Sequence, residues 1–142
     1  MPRILALDYG TKRTGIAVTD NLQIIATALE TVLTKDLLKY LQDYTAKETV
    51  EAFVVGLPIG LLGEDTNASA PTRAFGVQLK NTFPNTPIHW VDERFTSKIA
   101  LQTLISAGST KKYRREKGNI DRVSAVIILQ SFMETFTPKT NL

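Results

Sequence analysis

Apolar and polar positions along the chain follow two periods, and the switches between them predict the elements. Residues 3–9, rich in Ile and Leu, read as a strand. Residues 10–13 form a turn, and the β-branched residues 14–19 form a second strand, so the opening is a hairpin with a loop of about four residues. Asp20-Asn21 signals another turn, and a third strand is expected over residues 23–28. Thr34 is placed to cap a helix to about residue 47, with Leu37, Leu38, Leu41 and Tyr44 at helical spacing. Residues 52–57 are a short Val-rich strand, after which Gly56, Pro58, Gly60 and Gly63 mark an irregular loop. Pro71 suits the first turn of a helix to about residue 80, with Phe75 and Leu79 on one face. Residues 88–91 form a fifth strand. Thr96 is placed to cap a helix ending before Gly108, and a last helix spans residues 120–136, with a fraying tail at Pro138. The order β-β-β-α-β-α-β-α-α implies an α/β fold, a mixed five-stranded sheet flanked by helices on both faces.

Three acidic positions fall at the ends of these elements. Asp8 closes the first strand and shares a face with Ile4 and Ala6 by the period of two. It either bonds the backbone of the following turn or meets a cation, because an unpaired buried carboxylate is costly. Asp92 and Glu93 close the fifth strand, with Arg94 beside them as a possible local ion partner. Asp121 opens the last helix, and the positions three and four residues on from it are Ser124 and Ala125, followed by Ile128 and Phe132. That spacing puts Asp121 on the face that packs on the sheet; its other reading is an acid at the helix dipole. Parallel strands bring their carboxyl ends to one rim, and a helix crossing the sheet brings its first turn there. Carboxylates converging at such a rim repel one another unless divalent cations bind. An all-oxygen set favours Mg²⁺ or Mn²⁺, and a pair of such ions roughly 3.5–4 Å apart serves in-line displacement at phosphorus.

Composition narrows the chemistry. With 142 residues, 43% hydrophobic and 22% charged, the chain is expected to form one domain over 1–142. It has no cysteine and one histidine, which removes thiol chemistry and leaves little material for histidine-based hydrolysis. His89, mid-strand, reads as packed or surface, and Trp90 and the phenylalanines read as core. No segment approaches the roughly 20 apolar residues of a membrane span, so a cytoplasmic protein with no membrane partner is expected. The net charge of +3 is concentrated. Residues 109–118 alone carry a net +4, the footprint of contact with a polyanion.

Four segments resemble one family. They are Leu5-Ala-Leu-Asp-Tyr-Gly-Thr-Lys-Arg-Thr-Gly-Ile-Ala-Val-Thr-Asp20, Val54-Val-Gly-Leu-Pro-Ile59, Trp90-Val-Asp-Glu-Arg-Phe-Thr96 and Lys117-Gly-Asn-Ile-Asp-Arg-Val-Ser-Ala-Val-Ile-Ile-Leu-Gln130. In this order they resemble the YqgF/RuvX-type family of Holliday-junction resolvases and pre-16S ribosomal RNA nucleases. The resemblance implies an RNase H-like fold and a metal-dependent nuclease, acting in 5′-end maturation of 16S rRNA precursor (ribosome biogenesis) or on branched DNA. It implies that Asp8, Glu93 and Asp121 are the catalytic, metal-binding acids, with Mg²⁺ or Mn²⁺ as cofactor. Asp92 could stand in for Glu93; the two point to opposite faces of a regular strand, so only one is a direct ligand. Ser124 departs from the Ala usual in the family helix. The residues after Ile59, Gly-Leu-Leu-Gly-Glu-Asp, depart from a Met-Asp-Gly-type stretch.

Arg13 and Arg94 are candidate phosphate clamps, or else partners of Asp20 and Asp92. Lys111, Lys112, Arg114, Arg115 and Lys117 flank Tyr113, a pattern suited to backbone contact with base stacking, or to a solvated loop. The expected partners are precursor rRNA or branched DNA and a ribosomal particle, with the chain a monomer or weak homodimer. Two other classes compete. Asp8-Tyr-Gly-Thr followed by Gly15 also resembles the first phosphate motif of actin-like ATPases, which enclose a nucleotide between two such domains. The third reading is an RNase H-like binding module that grips structured RNA or DNA without cutting.

Overall fold

The computed structural model describes residues 2–58, 66–92 and 117–136, with side chains over 123–134 in the last segment. β1 (Arg3–Asp8), β2 (Arg13–Thr19), β3 (Ala26–Leu33), β4 (Val50–Leu57) and β5 (Ile88–Asp92) form one sheet in the order β3-β2-β1-β4-β5. The hairpin strands pair antiparallel; β1–β4 and β4–β5 pair parallel. β1 and β4 are central and covered on both sides, which explains their nearly unbroken apolar runs.

Alternation divides each strand between two cores. Leu5, Leu7, Ile16, Val18, Phe53 and Val55 face helices α1 (Leu37–Lys47) and α2 (Ser69–Thr82), where Leu37, Leu41, Phe75 and Leu79 meet them. Ile4, Ala6, Ala17 and Val54 face α3 (Lys117–Phe136), through Ala125, Ile128, Leu129 and Phe132. The small Ala6, Ala17 and Ala125 let that helix lie close on the sheet. The expected helix over 96–108 and the basic run at 109–116 lie outside the described residues.

The polar connections shift two boundaries. The third strand is Ala26–Leu33, not residues 23–28, because Asp20 holds the chain after it in a loop. Its carboxylate accepts N–H bonds from Leu22 (3.3 Å), Ile24 (2.7 Å) and Ile25 (2.8 Å). Within this loop Gln23 takes φ 57°, the left-handed region. Thr34 does not cap a helix. A 3₁₀ turn, Thr34–Asp36, precedes α1 with no side-chain cap. The Thr34 hydroxyl donates instead to the Gly10 carbonyl and sits 2.9 Å from the Thr14 hydroxyl, while its N–H donates to Lys12 O at 2.8 Å. The end of β3 is thereby tied to the β1–β2 turn. That turn is tight enough that a Cβ on Gly10 would collide with the Arg13 carbonyl oxygen.

The N–H bonds to Asp20, that from Ile25 foremost, hold its carboxyl below the ordinary value of 3.8. A depressed native pKa contributes stability above the unfolded pKa and loses it as pH falls through the native one. Asp20→Ala is therefore expected to lower Tm at neutral pH, with the gap to the parent closing in melts below pH 3.8. An equal gap at all pH values would show that the charge is immaterial.

Candidate active-site rim

The carboxyl ends of β1, β4 and β5 share one edge of the sheet because these strands are parallel. Asp8 ends β1 there, half-buried, on the face shared with Ile4 and Ala6. Its neighbour in β2 is Gly15. On the other side, the Leu7–Val55 pairing continued by one residue puts Gly56 beside it. Two glycines thus flank the carboxylate and leave the sheet surface around it without side chains, a setting that admits close approach of a ligand or backbone. Both glycines sit in the family-like segments, but only the strand register shows that they bracket Asp8.

Helix α3 runs antiparallel to β1. At its far end Gln130, Met133 and Glu134 line a cavity of about 750 Å³ with Gln23, Ile24 and Ile25 of the β2–β3 turn. That turn lies at the amino end of β1, where Ile4 N–H donates to the Thr19 hydroxyl (2.9 Å) and Gln23 donates to Pro2 O (3.1 Å). The amino-terminal end of α3, which carries Asp121, therefore lies toward Asp8. Four residues past Asp121, Ala125 is fully buried against the sheet face that bears Asp8.

Register separates the two neighbouring acids of β5. His89 and Val91 face α3, with the His89 ring 4.9 Å from that of Phe132. Ile88 packs into the opposite core, and Trp90 lies against Gly76 of α2. Asp92, exposed and paired with Leu57, shares the Trp90 face and so lies away from the Asp8 face. Arg13 is on the Asp8 face by alternation with Gly15 and Ala17, just past the end of β1. Its suggested partner Asp20 is at the other end of β2, engaged with backbone N–H groups. Trp90 is not core: it is 43% exposed. Glu93, Arg94, Lys111, Lys112, Tyr113, Arg114 and Arg115 lie outside the described residues, as does the Asp121 side chain.

Among the described residues no group of three or more His, Cys, Asp or Glu is placed to hold a metal. Among the described residues Asp8 brings a carboxylate to the α3 face of the rim, and its oxygens suit a hard cation; the chain has no cysteine, and its one histidine packs against Phe132.

The same architecture occurs in solved resolvases. It matches Thermus thermophilus RuvC in complex with a Holliday junction substrate at a TM-score of 0.55 and 17% identity, covering 95% of this chain and 96% of that one. It matches Fowlpox virus resolvase with Holliday junction DNA at 0.58 and 14%, covering 94% and 97%. The fold is that of the RNase H-like resolvases. Within that class, the chain belongs to the RuvX family, described as Holliday junction resolvase, whose model matches residues 2–135. A relative from Porphyromonas gingivalis, named "Putative pre-16S rRNA nuclease", is 52% identical over 134 residues, covering 94% of this chain and 97% of its own length. One of the same name from Flavobacterium johnsoniae is 48% identical over 135 residues, covering 95% and 98%.

Near the rim, the Ser124 hydroxyl is buried and has no hydrogen-bond partner among the described residues. Burying an unsatisfied hydroxyl costs free energy, so Ser124→Ala is expected to stabilise the fold by roughly 1 kcal/mol in denaturant titrations. Destabilisation would show that the hydroxyl is needed.

Proposed function

We propose that this chain is a metal-dependent endonuclease that hydrolyses phosphodiesters in the 5′-end maturation of 16S rRNA precursor, with Asp8, Glu93 and Asp121 as its catalytic, metal-binding acids. The observation that carries the reading is the meeting of the β1 carboxyl end and the α3 amino end at one rim, on one sheet face. The names of the relatives, similar over nearly their whole length, support the choice of substrate. The alternation along β5 favours Glu93 over Asp92, since Asp92 falls on the far face and the next residue of a continuing strand would fall on that of Asp8. On this reading the chain acts in the cytoplasm, on a precursor ribosomal particle.

Asp8, Glu93 and Asp121 would hold Mg²⁺ or Mn²⁺, which would lower the pKa of an attacking water and offset the charge that develops on the phosphate. The chain's own residues do the positioning. Asp8 presents its oxygens from a rigid central strand, between glycines that leave room for the sugar-phosphate backbone. The amino-terminal end of α3 faces the rim with its dipole positive, which favours an anion there. Arg13, on the same face, is placed to fork a phosphate beside the scissile one, and Arg94 is proposed for the same task. Lys111, Lys112, Arg114 and Arg115 are proposed to track the backbone, with Tyr113 stacking on a base.

A second reading, branched DNA as substrate, is favoured by the two junction-bound structures that share the fold. Junction resolution needs paired active sites and hence a dimer, whereas rRNA trimming does not. Cleavage of labelled precursor rRNA and four-way DNA junctions, with Mg²⁺, Mn²⁺ or chelator, separates the two. Metal-dependent cutting of the rRNA, reduced roughly 100-fold or more by Asp8→Asn, is expected. Cutting by Asp8→Asn at the parent rate would refute the metal assignment, and binding without cutting by the parent protein would make the chain a binding module. On the same substrate Glu93→Gln is expected to fall with Asp8→Asn, while Asp92→Asn keeps activity; the reverse order would overturn the face assignment.

A further inference from the structure

The far side of the sheet carries a second feature that the acidic rim does not use. Trp90 is 43% exposed although it lies in β5 among apolar neighbours. Its six-membered ring lies against Gly76 of α2, where an added Cβ would come within 2.5 Å of the indole. A glycine inside a helix costs roughly 1 kcal/mol relative to alanine. Here it provides the space that seats the indole edge while leaving part of the ring in solvent. Val77, next to it on the helix, is 62% exposed.

The indole and Val77 lie in a groove of about 330 Å³ whose other lining residues are Arg73, Gly76, Lys80 and Ile88. Arg73, Gly76, Val77 and Lys80 follow one another at spacings of three, one and three, a single stripe of the helix. The two cations stand about 10 Å apart along the axis at a rise of ~1.5 Å per residue. Trp90 lies between them. A flat apolar surface bracketed by two cations complements a ligand with a flat apolar face and anionic ends.

The groove also has a direction. The Ser69 hydroxyl at the start of α2 donates to the Pro58 carbonyl, just past the carboxyl end of β4. At the other end of α2 the Phe83 ring packs 5.1 Å from that of Phe53, and Phe53 N–H donates to Pro87 O beside the start of β5. The Arg73 end is therefore the end nearer the catalytic rim. Asp92, two residues past Trp90 on the same face, lies at that end of the groove.

We propose that the α2–β5 groove is a subsite for single-stranded nucleic acid, in which Trp90 stacks an unpaired base and Lys80 and Arg73 hold the flanking phosphates. The subsite deepens the nuclease reading and rests on it. A single strand lying in the groove leaves at the Arg73 end toward the rim, so the enzyme selects substrates with unpaired nucleotides next to the cleaved bond. A base inside a duplex is stacked on both faces and does not reach the indole without opening.

Trp90 is the chain's one tryptophan, so its emission reports on this groove alone. The full chain is titrated, in chelator, with short oligouridylate, oligothymidylate and a duplex of the same length. Binding is read in parallel from the anisotropy of end-labelled strands. Saturable quenching by both single strands and not by the duplex is expected. Trp90→Ala should weaken single-strand binding roughly tenfold, with Trp90→Phe retaining most of it. Lys80→Ala should lower the slope of log affinity against log salt by about 0.7, the value for one single-strand phosphate. The emission and Lys80 readings do not depend on the Trp90 variants folding. Single-strand binding that leaves Trp90 emission unchanged would overturn the subsite while leaving the nuclease reading intact. Failure of every nucleic acid to bind would overturn both. An emission change that follows protein concentration alone would overturn the subsite in favour of self-association through this face.

Discussion

The period of two along buried strands is the constraint on which the other features depend. β1 and β4 have apolar layers on both sides, so neither can slip by a residue without exchanging Leu5, Leu7, Phe53 and Val55 for Ile4, Ala6, Ala52 and Val54. The two layers are not interchangeable. One is built of large side chains under α1 and α2, and the other pairs small residues with α3 at close range. That difference in volume locks the register. The locked register decides that Asp8 and Arg13 emerge on the α3 face and Trp90 and Asp92 on the other.

This division gives the two faces separate tasks on the proposed reading. The α3 face ends in a carboxylate between glycines, met by the positive end of a helix, and suits chemistry on a phosphate. The α2 face offers an indole and two cations, and suits holding a strand by its bases and backbone. Both surfaces open on the same edge of the sheet.

Much of this was legible in the sequence because the central elements obey strong patterns. The strands around Leu5, Ile16 and Phe53 and the helical spacing of Leu37 and Leu41 announce themselves by period alone. β3 lies later than its apolar pattern suggests because it is an edge strand whose exposed Thr and Glu positions dilute the alternation, and because the carboxylate of Asp20 captures the backbone where a strand would otherwise begin. Thr34 has the composition of a helix cap, but the turn at Gly10 takes its hydroxyl. Trp90 reads as core from its neighbours; its exposure follows from being on the edge strand, opposite a glycine of the preceding helix. The choice between Asp92 and Glu93 is undecidable from one strand read alone, since adjacency says nothing about which face Asp8 occupies. Only the pairing of β1 with β4 and of β4 with β5 relates them.

The order of the elements along the chain carries a consequence for biosynthesis. α3 comes last among the described elements, after every strand of the sheet it covers. Until it is made, no other described element covers Ile4, Ala6, Ala17 and Val54, and the edge bearing Asp8 lacks Asp121. A partly synthesised chain is therefore both sticky and incomplete at its acidic edge. The packing event that hides that surface also delivers Asp121 to the edge, so on the proposed reading cutting power arises only in a chain that has finished folding, and ribosomes translating this protein are not exposed to a half-made nuclease.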